Sequence, residues 1–429
     1  MKRTSAVIMV IAVVICLIIG ATLMYSIPQG EVIVKDTSSR ESITILAGQS
    51  TPDAGTEEMI QKVLSEKFPD VDIEWICVGW STDNYQMRLT GRYAVSNAPD
   101  IIIGKAQDAI GYAESGVLLP IDEACAEGIR EDELNAVRHN GALYAIPYTC
   151  QYQGVFYNKA VFDKYGLVPP RSLGELARIV KILEDYGETP FAAHFQEDWQ
   201  VGNMTMQFMM NEVFNHDEHW GDGLRNGTNS YQNNEAVKQC FINSQYILEH
   251  TWEDALQIDQ FECDERFGKG SAAMYLTGSW SLQSISQVIQ KPEIGIFPYP
   301  NSTGDPKLVK EVNISFMKGA RTQHSELVDL ILKEIAGNQE LAKGIADFTK
   351  GESTLESLRD YKITEVQEDT GKYENVELVT DVTVGNNQLI WDYQESVASE
   401  ELNWLKGQKT LEQVLEYADQ NAKNSIAER

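Results

Sequence analysis

Residues 43–47 (ITILA) form a mostly apolar, β-branched run that leads into Gly48, Gln49 and Ser50. A short apolar run bounded by small and polar residues predicts a buried strand. Downstream, Ile60, Val63, Leu64 and Phe68 recur at helical spacing and predict a helix with one apolar side. Residues 71–78 (VDIEWICV) alternate, which places Val71, Ile73 and Trp75 on one face of a second strand. A helix is predicted over residues 82–95, and Asn97, Ala98 and Pro99 end it. Ile101, Ile102 and Ile103 then make a third strand, and another helix covers residues 108–115. This β-α-β-α-β-α order predicts an α/β fold with a mainly parallel sheet, its ligand-facing loops at the C-terminal ends of the strands.

A second region opens near Leu143. Residues 153–157 (QGVFY) predict a strand. Pro169 and Pro170 end a loop, and Ser172 with Glu175 has the spacing of a capping box opening a helix to about Tyr186. Residues 204–214, rich in Met and Phe, predict a buried helix whose sulfurs are packing material rather than cofactor ligands. Thr410 and Gln413 make a second capping box, starting a terminal helix with Leu411, Val414, Leu415 and Ala418 inward.

The N-terminus changes the picture. Lys2 and Arg3 precede an uncharged apolar stretch over residues 6–27. Its length suits a membrane-spanning helix, and no small-residue cleavage site follows it. Residues 1–29 are therefore expected to be a retained anchor, with a cleaved secretory segment as the alternative. Lys2 and Arg3 would stay in the cytoplasm, residues 30–41 would form a linker, and the body would lie at the extracellular face of the cytoplasmic membrane. Cys16 sits mid-stretch after Ile15, which is not a lipid-attachment position.

With 64 acidic against 35 basic residues the formal charge is −29, which excludes nucleic acid as a partner. A chain of 429 residues exceeds what one core usually holds, so two lobes are expected. Cys77, Cys125, Cys150, Cys240 and Cys263 are widely spaced and form no CxxC pair, which argues for free thiols and against zinc. His216, Asp217, Glu218 and His219 lack the H-E-x-x-H spacing of a metalloprotease. No P-loop or G-x-S-x-G nucleophile motif occurs either, and no catalytic residue, metal or cofactor is assigned.

Five stretches, in order, resemble the family-1 extracellular solute-binding proteins, the maltose-binding type. They are residues 96–103 (SNAPDIII), 111–121 (GYAESGVLLPI), 141–159 (GALYAIPYTCQYQGVFYNK), 161–176 and 267–281 (FGKGSAAMYLTGSWS). The resemblance spans residues 42–427. It implies a two-lobed, type II periplasmic-binding-protein-like fold in which three chain crossings link lobes that close on a ligand. Those crossings would lie near residues 148–151, 297–299 and 337. The first lobe would then be residues 42–149 plus 298–337, and the second 150–297 plus 338–429. The implied function is the ligand-capturing subunit of an ABC importer, monomeric, delivering a sugar or oligosaccharide to membrane permease subunits. A ligand sensor docking on a receptor kinase and, more remotely, a carbohydrate-active hydrolase are the alternatives.

Sugars present C–H faces that stack on aromatic rings and hydroxyls that pair with Asp, Glu, Asn and Gln. Trp280 occupies the family's G-x-W position and is the leading candidate, with backbone N–H groups of Gly278 and Ser279 expected to face the ligand. Trp80 follows the second strand, His194 and Trp199 follow residues 190–193, and Trp391 matches a late stacking ring. Gln49, Gln107, Asp108, Gln151 and Tyr152 lie in matching loops. The family's aromatic after the third strand is replaced by Gly104 and Lys105, and its acidic contact at the first crossing by Cys150 and Gln151, so maltose is not the expected ligand.

Overall fold

The computed structural model describes residues 40–49, 54–79, 89, 92, 98–217, 219–289, 291–373 and 396–427. The apolar N-terminal segment and most of the helix expected over residues 82–95 lie outside the described residues. Twelve strands are described in chain order: β1 (Glu41–Gln49), β2 (Val71–Gly79), β3 (Ile101–Gly104), β4 (Leu118–Leu119), β5 (Arg138–His139), β6 (Ala142–Leu143), β7 (Ala145–Asn158), β8 (Phe191–Ala192), β9 (Met274–Gly278), β10 (Ile294–Phe297), β11 (Val309–Gly319) and β12 (Glu352–Ser353). The predicted helices appear at Ala54–Lys67, Ala106–Glu114, Leu173–Asp185 and Leu411–Ala427. Both capping boxes form, Ser172 with Glu175 and Thr410 with Gln413. The Met-rich stretch is helical and buried, ending in a π-helical turn at Met210–Phe214.

Ten strands form one sheet, in the order β2-β1-β3-β11-β7-β9-β8, with β4, β10 and β12 attached at its sides. The sheet is mixed where the sequence pattern suggests a mainly parallel one. β1–β3 and β8–β9 are parallel, but β11 runs antiparallel to both β3 and β7, and β7 antiparallel to β9. The reason is β7. Its fourteen residues are all buried, and it extends well beyond the five expected.

β7 passes from one hydrophobic core into two others. Ala145, Ile146 and Tyr148 pack with Ile45, Ile101, Phe316 and Ile331 in a first cluster. Farther along, alternate residues diverge, because side chains of a strand point to opposite faces. Val155 and Tyr157 join Phe162, Phe191, Met204 and Leu415, whereas Tyr152 and Phe156 join Phe267, Tyr275 and Ile285. β11 makes the return passage, from Val309 in the second region to Ile314, Phe316 and Met317 in the first.

Core membership bears on two of the expected crossings. Phe297 and Tyr299 both pack in the second region, so the chain does not leave it there but within β11. Beyond Gly337, the helix Gln339–Thr349 does not join the second region. Its Leu341, Ala342 and Ile345 complete the first core, and Leu355 and Leu358 follow; Val366 is the next residue in the second region. The helix is held there because Asn338 caps it directly after Ser325–Gly337, leaving no length of chain to cross. Substituting Ile345 with alanine should cost about 2–5 kcal/mol. Hydrogen exchange should then accelerate in β1 and β3 before it does in β9; the reverse order would place this helix with the other core.

Candidate functional site

Register partners across a ladder share a face, and this locates the site. Gln153 lies opposite Gly278, and Gln151 lies opposite Glu311. Gln151 and Gln153 are two apart on β7, so their side chains share that face with Glu311. A side chain at 278 would point the same way, but its space is taken: a Cβ there would sit 2.1 Å from Cζ3 of Trp280. The Trp280 ring therefore lies across the end of β9, on the face carrying Gln151, Gln153 and Glu311. Gly278 of the G-x-W pattern is the residue that lets the indole lie down.

Trp280 precedes the short helix Ser281–Ser286 and is half-buried. Its indole Nε1 is buried with no hydrogen-bond partner among the described residues. Trp199, half-buried in the first turn of the helix Asp198–Met209, meets it edge-on at 6.4 Å between ring centroids. Two indoles thus flank a floor of amide and carboxylate groups. Burial pushes the half-buried Glu311 carboxyl above its ordinary range, while the Lys105 charge and a hydrogen bond to Gln153 act the other way. Lys105 is the residue between β3 and the helix Ala106–Glu114.

Gln153 and Glu311 were not among the sequence candidates. Alternation from Gln151 would have pointed to Gln153. Glu311 has no such local signal, because its place follows only from the β7–β11 register. Asp108 is buried in the first turn of Ala106–Glu114. Trp80, Trp391 and the side chains of Gln49 and Gln107 lie outside the described residues.

Three of the expected groups are engaged within the fold. Tyr152 turns to the opposite face, where its hydroxyl donates to Glu352. His194 is fully buried behind Trp199, 5.4 Å away, and against Tyr275 at 6.2 Å. Burial pushes it down to about 3, so it is a neutral backing for Trp199 rather than a surface contact. The Ser279 N–H, expected to face a ligand, donates to the Tyr152 carbonyl at 2.9 Å, and the Ser279 hydroxyl accepts from the Tyr152 N–H at 3.2 Å.

A buried carboxyl lies near Ser281, the residue after Trp280. Asp264, on the helix Gln260–Gly268, is fully buried. Burial pushes it up to about 8, outweighing the polar groups of Ser281, Tyr275, Ser284 and Gln260 nearby, which act the other way. The folded chain holds this proton where an unfolded Asp, near 3.8, has lost it. The group's stabilising contribution is full below about pH 4, falls as pH rises, and is gone above about 8. Asp264→Asn should flatten that slope in denaturant melts across this window, and an unchanged slope would refute it. Gly278→Ala should displace the Trp280 ring, changing the near-ultraviolet circular dichroism and costing about 1–3 kcal/mol; an unaltered spectrum would contradict the geometry.

The multiple sugar-binding protein of Streptococcus mutans serotype c is 24% identical over 325 residues, covering 70% of this chain and 66% of that protein. The melibiose/raffinose/stachyose-binding protein of Bacillus subtilis is 19% identical over 279 residues, 61% of this chain and 62% of its own. In these matches the chain spans just under two thirds of the relatives' length. Among solved structures, a putative binding protein of Bacillus subtilis in an open conformation aligns with a TM-score of 0.77 at 17% identity, over 91% of this chain and 98% of its own. A sugar transporter protein of Bacillus licheniformis in complex with stachyose aligns at 0.75 and 16%, over 90% and 100%. This likeness is one of fold, the two-lobed α/β arrangement. The family model for bacterial extracellular solute-binding proteins matches residues 47–340, and the chain belongs to that family.

Proposed function

We propose that this protein is the capturing subunit of an ATP-driven importer, and that it closes two lobes on a neutral sugar or oligosaccharide. The observation that carries the reading is the pair of indoles, Trp280 and Trp199, set against Gln151, Gln153 and Glu311 on the strands that join the cores. Rings cover the C–H faces of a sugar, and amides and a carboxylate receive its hydroxyls. The sugar-binding relatives above support the same ligand class. Lys105 is balanced by Glu311, which suits an uncharged ligand.

Core membership among the described residues supports a first lobe drawn from about residues 42–148 and 314–358, and a second drawn from 152–309, 366–373 and 396–427. The passages at β7, at β11 and after Leu358 would serve as hinges, since each is short and none belongs wholly to one core. The N-terminal apolar segment would tether the body outside the cell beside its permease. The chain binds without turning its ligand over.

Thermal-shift measurements with a panel of neutral oligosaccharides including raffinose and stachyose test the ligand class. A sugar at 100 times its dissociation constant should add about 2.7 kcal/mol of stability. Stabilisation by amino acids or peptides alone would sink the carbohydrate reading. Trp280→Ala should weaken binding about thirtyfold, roughly 2 kcal/mol, with the ligand-free melt little changed. Unaltered affinity with a large stability loss would make Trp280 a packing residue only.

A further inference from the structure

The face of β7 turned away from the candidate site carries a different arrangement. Arg130 donates from Nη2 to Glu133 Oε1 at 2.7 Å and lies 2.8 Å from Glu352 Oε1. Lys310 Nζ donates to Glu133 Oε1 at 2.7 Å and to Glu352 Oε1 at 3.3 Å. The Tyr152 hydroxyl donates to the other oxygen of Glu352. Arg130, Glu133, Glu352 and Tyr152 are buried, and the Lys310 side chain is 11% exposed. Two cations and two carboxylates balance. Burial works against ionising Glu133, yet the Arg130 hydrogen bond and the Lys310 charge hold it down at about 2.

The five members come from four pieces of chain. Arg130 and Glu133 belong to the first lobe, at the helix Glu131–Asn135. Tyr152 is on β7, Lys310 on β11 and Glu352 on β12, the segments that lead into or out of that lobe. Backbone bonds add to the join: Arg130 N–H donates to Thr354 O, and Glu356 N–H donates to Gly128 O. Tyr152 alone is held from both sides. Its hydroxyl is tied to Glu352, while its N–H and C=O are tied to Ser279, the neighbour of Trp280.

Buried ion clusters cost desolvation and often stabilise no more than apolar packing would. What this one supplies is a single fixed geometry for three chain segments. We infer that Tyr152 is a strut between this cluster and the turn Gly278–Ser279–Trp280, a positioning residue that sets how the second lobe's indole stands relative to the first lobe. The inference rests on the proposed lobes but not on the ligand's identity. Ligand-driven closure would move the Trp280 turn, and Tyr152 is the side chain through which that movement reaches the buried charges.

The test uses the full chain with Cys16 and Cys77 replaced by serine and spin labels at Glu66→Cys and Ala177→Cys, both exposed and on helices of opposite lobes. Interlobe distances are measured without ligand. Tyr152→Phe keeps the ring and removes only the hydroxyl. It should broaden or shift the distance distribution well below the melting temperature, and Glu352→Gln should do the same. If raffinose binds the parent chain, Tyr152→Phe should weaken it by roughly tenfold, within the usual range for coupling between sites. Trp280→Ala should weaken raffinose and leave the ligand-free distances unchanged. A lower melting temperature with unaltered distances would make the cluster merely structural and overturn the strut. Failure of raffinose to bind the parent chain would count against the ligand class alone, because the ligand-free distances still decide the strut.

Discussion

Across the β7–β11 ladder, Lys310 faces Tyr152 and Glu311 faces Gln151. Because side chains alternate along a strand, this one register separates two chemistries by a single backbone thickness. One face carries a dry, balanced set of charges. The other carries amides and a carboxylate beside two indoles. A slip of one residue would exchange them, burying Glu311 among the carboxylates and turning Lys310 toward the rings. The register is fixed on both sides, since the cores on either side of the ladder bury Phe316 against Ile103 at one end and Val155 against Leu276 at the other.

The two faces treat polar groups differently for physical reasons. Charges removed from water persist where partners offset them. Glu133 Oε2 and Arg130 Nη1 are left without a hydrogen-bond partner among the described residues, but Glu133 Oε1, Lys310 and Glu352 pair with one another. The indole Nε1 of Trp280 has no such partner. A buried donor left alone is costly in a finished core and useful where a ligand hydroxyl completes it. Asp264 is a third case, a carboxyl that burial keeps protonated, so that it acts as a neutral neighbour for Ser281 and Tyr275.

Much of the molecule was legible in local pattern. The helices Ala54–Lys67 and Leu173–Asp185, the capping boxes at Ser172 and Thr410, and the strands at Val71 and Ile101 follow from spacing and caps alone. The Trp280 candidate came from its resemblance to the family's G-x-W position, and the Gly278 of that pattern leaves the space its ring occupies. Other features have no local trace. All of β7 is buried, so no polar alternation reveals that Tyr152 and Gln153 face opposite ways. Glu352 lies 200 positions from Tyr152, and only the folded sheet brings them together. The helix Gln339–Thr349 is amphipathic and would suit either core; only the folded structure shows that it joins the first, with Asn338 capping it directly after the preceding helix.

Tyr152 shows why a residue type at a familiar position can mislead. A tyrosine beside a lobe crossing has the chemistry of a sugar contact, an apolar ring with a polar tip. Here the ring packs with Phe156 and Phe267, and the tip is occupied by a carboxylate that a lysine and an arginine also hold. Freeing that hydroxyl for a ligand would leave Glu352 facing two cations without its neutral donor. The arrangement therefore resists such a change, and the face left to the proposed ligand is that of the opposite parity on the same strand, Gln151 and Gln153. On the proposed reading, parity along β7 divides support from recognition.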